Sequence, residues 1–312
     1  MTAAWRRFWF APEETSTLAL VRIAFGLVVL AWTAALAHDS VPLFTGAGLV
    51  PDADFQGRPT ASWGLLDLTD TRVAVAALLA LLALAAMCLV AGLFTRVAAV
   101  VVFLGILSFE RRNPFVFNSG DGLLKVIAFY MMLAPAGESL SVDRLRRAGA
   151  AFWAFPRRAP WALRLMQLQL SVVYLATLWT KLSGRTWNDG TAISFALRLD
   201  DLDRFRAPGW ISGSELISNL LTYGTLAIEA SIAILVWNRK LRPWVLGVGV
   251  LLHLGIDLTI RVGFFSYAIF VLYLAFVPPD VASGRLLALR DRVSAWLERR
   301  QPRAAAARGS GT

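Results

Sequence analysis

Lys181 ends an otherwise apolar run in SVVYLATLWTKLSGRTWNDGTA. A lysine in a membrane helix has an interfacial reason or a chemical one. At a helix end it can snorkel to the headgroups and complement the negative end of the helix dipole. Buried, it favours the neutral amine, which can take a proton as a general base. Gln167, Ser171, Tyr174 and Lys181 recur at spacings of 4, 3 and 7. At about 100° per residue they form one stripe, with Thr177 beside it. Lipid offers such a stripe no partner, so it should face the bundle interior or a cavity.

Three further groups could do chemistry. Glu229 lies deep in an apolar run with Thr222 and Thr225 on its face. A carboxylate there is costly unless neutral or paired, so it is either a functional acid or a structural lock between helices. His253 and Asp257, four apart, project from one helix face. They suit a proton relay or an interhelical hydrogen bond better than a metal, which needs three or four ligands. Asp121, in the turn NSGDG before Lys125, suits a helix N-terminus. Arg22, near one end of the first apolar run, is expected to snorkel.

The positioning elements are membrane helices. The chain of 312 residues is 57% hydrophobic and 17% charged, against about 25% charge in soluble domains. Its mean hydropathy is +0.59. The net charge of +10 sits in arginine-rich connections between apolar runs, a pattern of cytoplasmic loops and anionic lipid rather than nucleic acid. Cys88 is the one cysteine, so intrachain disulfide chemistry is excluded, and His38 and His253 alone make no metal site.

Eight hydrophobic segments are expected, at 17–37, 71–94, 96–109, 122–134, 161–181, 216–237, 243–261 and 263–278. The third and fourth fall short of the ~20 residues of a simple span; either they extend through Arg111 and Asn118, or NPFVFNSGDG re-enters the membrane. The first resembles a signal peptide ending at Ala35-Leu36-Ala37, but its length and Arg22 favour a retained helix. Arginines after the fourth, sixth and eighth segments fall on one side, as do Arg6 and Arg7. Both termini are therefore expected in the cytoplasm, with Lys181, Asp121 and Asp257 in the outer half. The expected class is an all-α, polytopic membrane bundle over 1–280. An amphipathic cytoplasmic helix follows at 281–300, then a disordered tail at 301–312.

The order ALVRIAFG, RNPFVFNSGDGLLKVIAFYMMLAPAG, SVDR, YLATLWTKLSGRTWNDGTAI, AIEASIAIL and LLHLGIDLTIRVGFFSYAIF resembles the horizontally transferred transmembrane domain, HTTM. That domain is the membrane portion of vitamin K-dependent γ-carboxylase. In the carboxylase a lysine deprotonates vitamin K hydroquinone, and carboxylation of glutamyl side chains follows. The resemblance implies that Lys181 matches this base, on the outer side of the cell membrane. Glu229 and His253 match family positions without an assigned role and stand beside it as catalytic candidates. Tyr174, Asp121, Asp257, Thr177, Gln167 and Trp187 are the candidate quinone-pocket residues. Menaquinol is the implied cofactor, and no metal is expected.

The chain lacks anything comparable to the carboxylase's large lumenal portion, so the fold can be inherited without the reaction. A non-enzymatic role, binding or maturing a secreted peptide or a membrane-protein partner, is the alternative. It would use the connections 38–70 and 182–215, with Phe55 and Trp63 at the membrane–water interface. A transporter or channel using Glu229, His253 and Asp257 is a third expectation, weakened by the lack of visible repeats.

Overall fold

The computed structural model describes residues 2–50, 63–148 and 151–300. The expected disordered tail, and Phe55 with Asp52 and Asp54 of the 38–70 connection, lie outside the described residues. The described chain is helical apart from one pair of two-residue strands.

The first half holds α1 (Ala3–Phe10), α2 (Ser16–His38), α3 (Ser40–Phe44), α4 (Arg72–Ala91), α5 (Thr95–Arg112), α6 (Ser119–Leu133) and α7 (Val142–Ala148). The second half opens with the 22-residue α8 (Trp161–Leu182). Three short helices, α9 (Arg185–Asn188), α10 (Ala192–Ala196) and α11 (Gly209–Gly213), fold the following connection. Then come α12 (Glu215–Leu235), α13 (Arg242–Thr259), α14 (Phe265–Leu274) and α15 (Pro279–Arg300). Strand β1 (Glu13–Glu14) pairs antiparallel with β2 (Arg157–Arg158) and ties the entry of α2 to the entry of α8.

Two lobes result. In the first, α2 packs along α4, and α5 lies against both α4 and α6; in the second, α12 packs on α8 and α13. Helix α14 touches α2, α6, α8 and α13 and joins the lobes. The first lobe has an apolar interior, with Phe25, Val29, Leu82, Leu89, Ile106 and Ile127 fully buried.

The turn from α4 to α5 is built around Gly92, at φ 69°. A side chain there would strike Ser141 and the Arg22 guanidinium, and L-residues avoid this backbone region. Arg22 corrects its expectation. It does not snorkel but is fully buried. It donates to the carbonyls of Ala136 (3.0 Å), Ser139 (3.2 Å) and Leu140 (2.6 Å). These carbonyls follow α6 and have no helical partners, so the guanidinium locks a turn that hydrophobic pattern alone leaves open.

Among the described residues three helices, α2, α4 and α12, are long and apolar enough to cross a membrane. The pair α14 and α15, bent by 98°, makes a fourth candidate. Helix α5 does extend through Arg111, to Arg112. The linker after it makes a short turn at Pro114–Val116, and α6 starts from a capping box between Asn118 and Asp121. The 15 residues of α6 and 10 of α14 reach only about 22 and 15 Å, against a ~30 Å hydrocarbon core. Helices α8 and α13 fall below the apolar standard because they carry the polar stripes. Length and composition therefore support fewer spans than the eight segments expected. On α15, Leu289, Val293, Trp296 and Leu297 are exposed and share one face.

Candidate functional site

The second lobe reverses the polarity of a soluble domain. Only Gly249, His253 and Asp257 of α13 are buried, while Leu251, Leu254 and Leu258 are exposed. On α12 the buried residues include Ser218, Thr222, Thr225 and Glu229, while Leu216, Leu220 and Ile234 are exposed. Polar stripes turned inward and leucines turned outward are what a lipid surround requires.

Within this interior, Lys181 turns in and its Nζ pairs with Glu229 Oε1, the two side chains being 22% and 8% exposed. The Trp187 ring lies under the same ammonium, 4.7 Å from Nζ to centroid. Glu229 Oε2 is buried and has no hydrogen-bond partner among the described residues. An unpaired oxygen of this kind is costly unless something else fills it.

Beside the pair runs a chain of hydroxyl and imidazole groups. Tyr174 Oη is 2.8 Å from His253 Nε2 and 2.5 Å from Tyr273 Oη. His253 Nδ1 faces Ser266 Oγ at 3.3 Å, and Asp257 lies one turn further along the same buried face of α13. Asp257 Oδ1 is the second buried carboxylate oxygen of this interior without a described partner. The Glu229 charge bears on both tyrosine hydroxyls and the Lys181 charge on His253, so pair and chain form one electrostatic neighbourhood. Phe265, Phe270 and Tyr273 surround the imidazole. Gly249 makes room for the Tyr273 hydroxyl, which a side chain at that position would strike.

The connection between α8 and α12 closes over this end. Ser218 Oγ donates to the Gly190 carbonyl at 3.0 Å, and the Ile193 amide donates to Thr222 Oγ1 at 3.3 Å. The Arg204 amide donates to the Thr259 carbonyl at 3.0 Å.

Lys181, Glu229, Trp187, Tyr174, His253 and Asp257 thus come together. Thr177 borders them, half-buried, with its hydroxyl bonded to the Tyr174 carbonyl at 3.1 Å. Two pocket candidates stand apart. Gln167 donates to the Ala275 carbonyl at 2.7 Å and accepts from Arg164 at 2.9 Å, tying α8 to the end of α14. Asp121 accepts from Trp32 Nε1 at 2.7 Å and from the Asn118 amide at 2.7 Å. It therefore belongs to the first lobe. Gln167 shares the stripe of Lys181, but 14 residues of helix separate them by about 21 Å.

Tyr273 and Ser266 were not singled out from the sequence. Both lie in the apolar run of α14, where a tyrosine reads as core and a serine as helix glue. Glu110 was also missed; it pairs with Lys125 between α5 and α6. Among the described residues no group of three or more His, Cys, Asp or Glu could hold a metal ion.

No curated protein and no solved structure matches this chain. The inward polar stripes, the buried arginine of α2 and the lysine closing α8 agree with one family assignment: the HTTM domain model matches residues 10–281, and the chain belongs to that membrane-domain family.

Proposed function

We propose that this chain is a multi-pass cell-membrane protein of eight membrane-embedded helices with both termini in the cytoplasm. The outer end of its second lobe would be a base site for a reduced naphthoquinone of the vitamin K type, such as menaquinol. The observation that carries this reading is the inward turn of Lys181 onto Glu229, with Glu229 Oε2 left for a ligand. When bound, the quinol supplies an acidic hydroxyl and a ring that reacts with oxygen once deprotonated. Glu229 Oε1 is the acceptor for the ammonium proton. That transfer turns a buried ion pair into a neutral pair and frees the amine to take the quinol proton. Tyr174, His253 and Ser266 form a hydrogen-bonded row beside the pair, and through it, with Asp257 on the same face of α13, a proton would leave this interior. Trp187 must give way to, or stack on, the quinol ring.

The test is single-turnover conversion of a reduced naphthoquinone in nanodiscs, read by mass spectrometry. Epoxide formed under oxygen by the parent and not by Lys181→Ala is expected. No product from either, with no quinone bound, would sink the reading.

A second reading, a non-enzymatic factor that binds or matures a secreted peptide or membrane protein, is favoured by the exposed Phe195, Phe205 and Trp210 on the 182–215 connection. A photo-crosslinker at position 210 should then give a discrete peptide adduct in cells. Lipid adducts alone would remove this reading.

A further inference from the structure

At the arginine-rich end of the second lobe, opposite Lys181, a cavity of about 510 Å³ opens between the first turns of α8 and α13 and the break between α14 and α15. Its walls include Leu163, Leu246 and Phe276, and its rim carries Arg164, Arg239 and Arg242.

The three guanidinium groups are not equally occupied. Arg164 is spent on the Phe8 carbonyl (3.2 Å), Gln167 Oε1 (2.9 Å) and the Glu13 carboxylate. Arg242 donates Nε to the Val236 carbonyl at 2.9 Å and Nη1 to the Phe276 carbonyl at 3.1 Å. Its Nη2 donates to no described residue. Arg239 is exposed and makes no hydrogen bond or ion pair with a described residue. Of the two acids at the cavity, Glu13 is paired with Arg164. Asp280 is exposed in the first turn of α15, where it complements the helix dipole. Arg239 and Arg164 both bear electrostatically on Arg242, so like charges crowd the rim, and the Glu13 carboxylate pairs only with Arg164.

Apolar walls under a cationic rim fit an amphiphile whose anionic group meets the arginines. We propose that this cavity binds an anionic phospholipid, its phosphate held between Arg239 and Arg242 and an acyl chain laid against Leu246 and Phe276. The proposal is independent of any chemistry at Lys181.

The test uses the full chain in neutral detergent. Native mass spectrometry follows titration with phosphatidylglycerol, phosphatidylcholine and inorganic phosphate in parallel. Phosphatidylglycerol should bind in preference to phosphatidylcholine. Arg239→Gln, which breaks no bond within the fold, should cut that preference about fivefold, the worth of one basic residue at an anionic headgroup. Arg242→Gln should cut it at least as far where the variant folds. Arg146→Gln, at a separate arginine-lined cavity, should leave it unchanged. Equal binding of the two lipids, or an unchanged preference in Arg239→Gln, would overturn the proposal. So would displacement of the lipid by inorganic phosphate at matching concentration, which would assign the site to a soluble anion.

Discussion

At the residue scale, the Lys181–Glu229 pair is open to a double-mutant cycle. Removing one partner of a fully buried pair costs about 3–5 kcal/mol, because the other charge is left stranded. Lys181 keeps some access to water, so Lys181→Met should cost less, about 1–3 kcal/mol. Lys181→Met combined with Glu229→Leu should recover most of that loss, since a stranded charge is the main penalty. Thermal unfolding in detergent reads both variants. A loss in the double variant equal to the sum of the Lys181→Met and Glu229→Leu losses would mean that the pair is not coupled. Lys181→Arg separates structure from chemistry, because arginine keeps the ion pair but stays protonated. It should keep the melting temperature and lose quinol conversion; full conversion would rule out a neutral amine as the base.

Elements carry the next two predictions. Asp143 on α7 caps α5 from outside, accepting from the Phe94 amide, the Thr95 amide and Thr95 Oγ1 at 2.8–2.9 Å. Burial by itself pushes this carboxyl up. The hydrogen bonds from Thr95 and Phe94, with Arg147 nearby, outweigh it and hold the group below its ordinary value of 3.8. A depressed folded value means that the stabilisation is present above pH 3.8 and is lost as pH falls through the lower folded value. Asp143→Ala should therefore destabilise by about 1 kcal/mol at neutral pH, the usual worth of a cap. It should also flatten the acid limb of stability against pH; an unchanged limb would remove Asp143 as its source. On α13, Gly249→Val would push its side chain into Tyr273 Oη and Ile232. Overpacking of this kind costs about 1–3 kcal/mol. Displacing Tyr273 should also break its bond to Tyr174, and a melting temperature equal to the parent's would show that the space is there.

For the whole molecule, the arrangement of arginine-rich ends predicts sidedness. In a Cys88→Ala background, Gly213→Cys should react with an impermeant thiol reagent on intact cells. Lys240→Cys should react only after permeabilisation. The reverse pattern would invert the topology. Labelling of both from one side would mean that α12, which lies between them, does not cross.

Membrane class, the polar stripes and the end position of Lys181 were all legible in the 312 residues, because they follow from local rules. Apolar run length answers to bilayer thickness. A spacing of four residues answers to the helical period, so His253 and Asp257 had to share a face. Charge in the loops answers to the membrane's two sides. Tertiary structure alone decided which stripes meet. Lys181 and Glu229 are 48 residues apart, and Tyr174 and His253 are 79 apart. Their contact depends on how α8, α12 and α13 dock, which no local period contains. The same docking drew Tyr273 and Ser266 into the site, although in the sequence they are two polar atoms in an apolar run. It left Gln167 at the far end of its own stripe, since a helix face has a direction but also a length. It buried Arg22 against three carbonyls of a turn more than a hundred residues away. An arginine near a helix end has a long enough side chain to reach either water or a buried turn, and only the neighbouring backbone chooses between them.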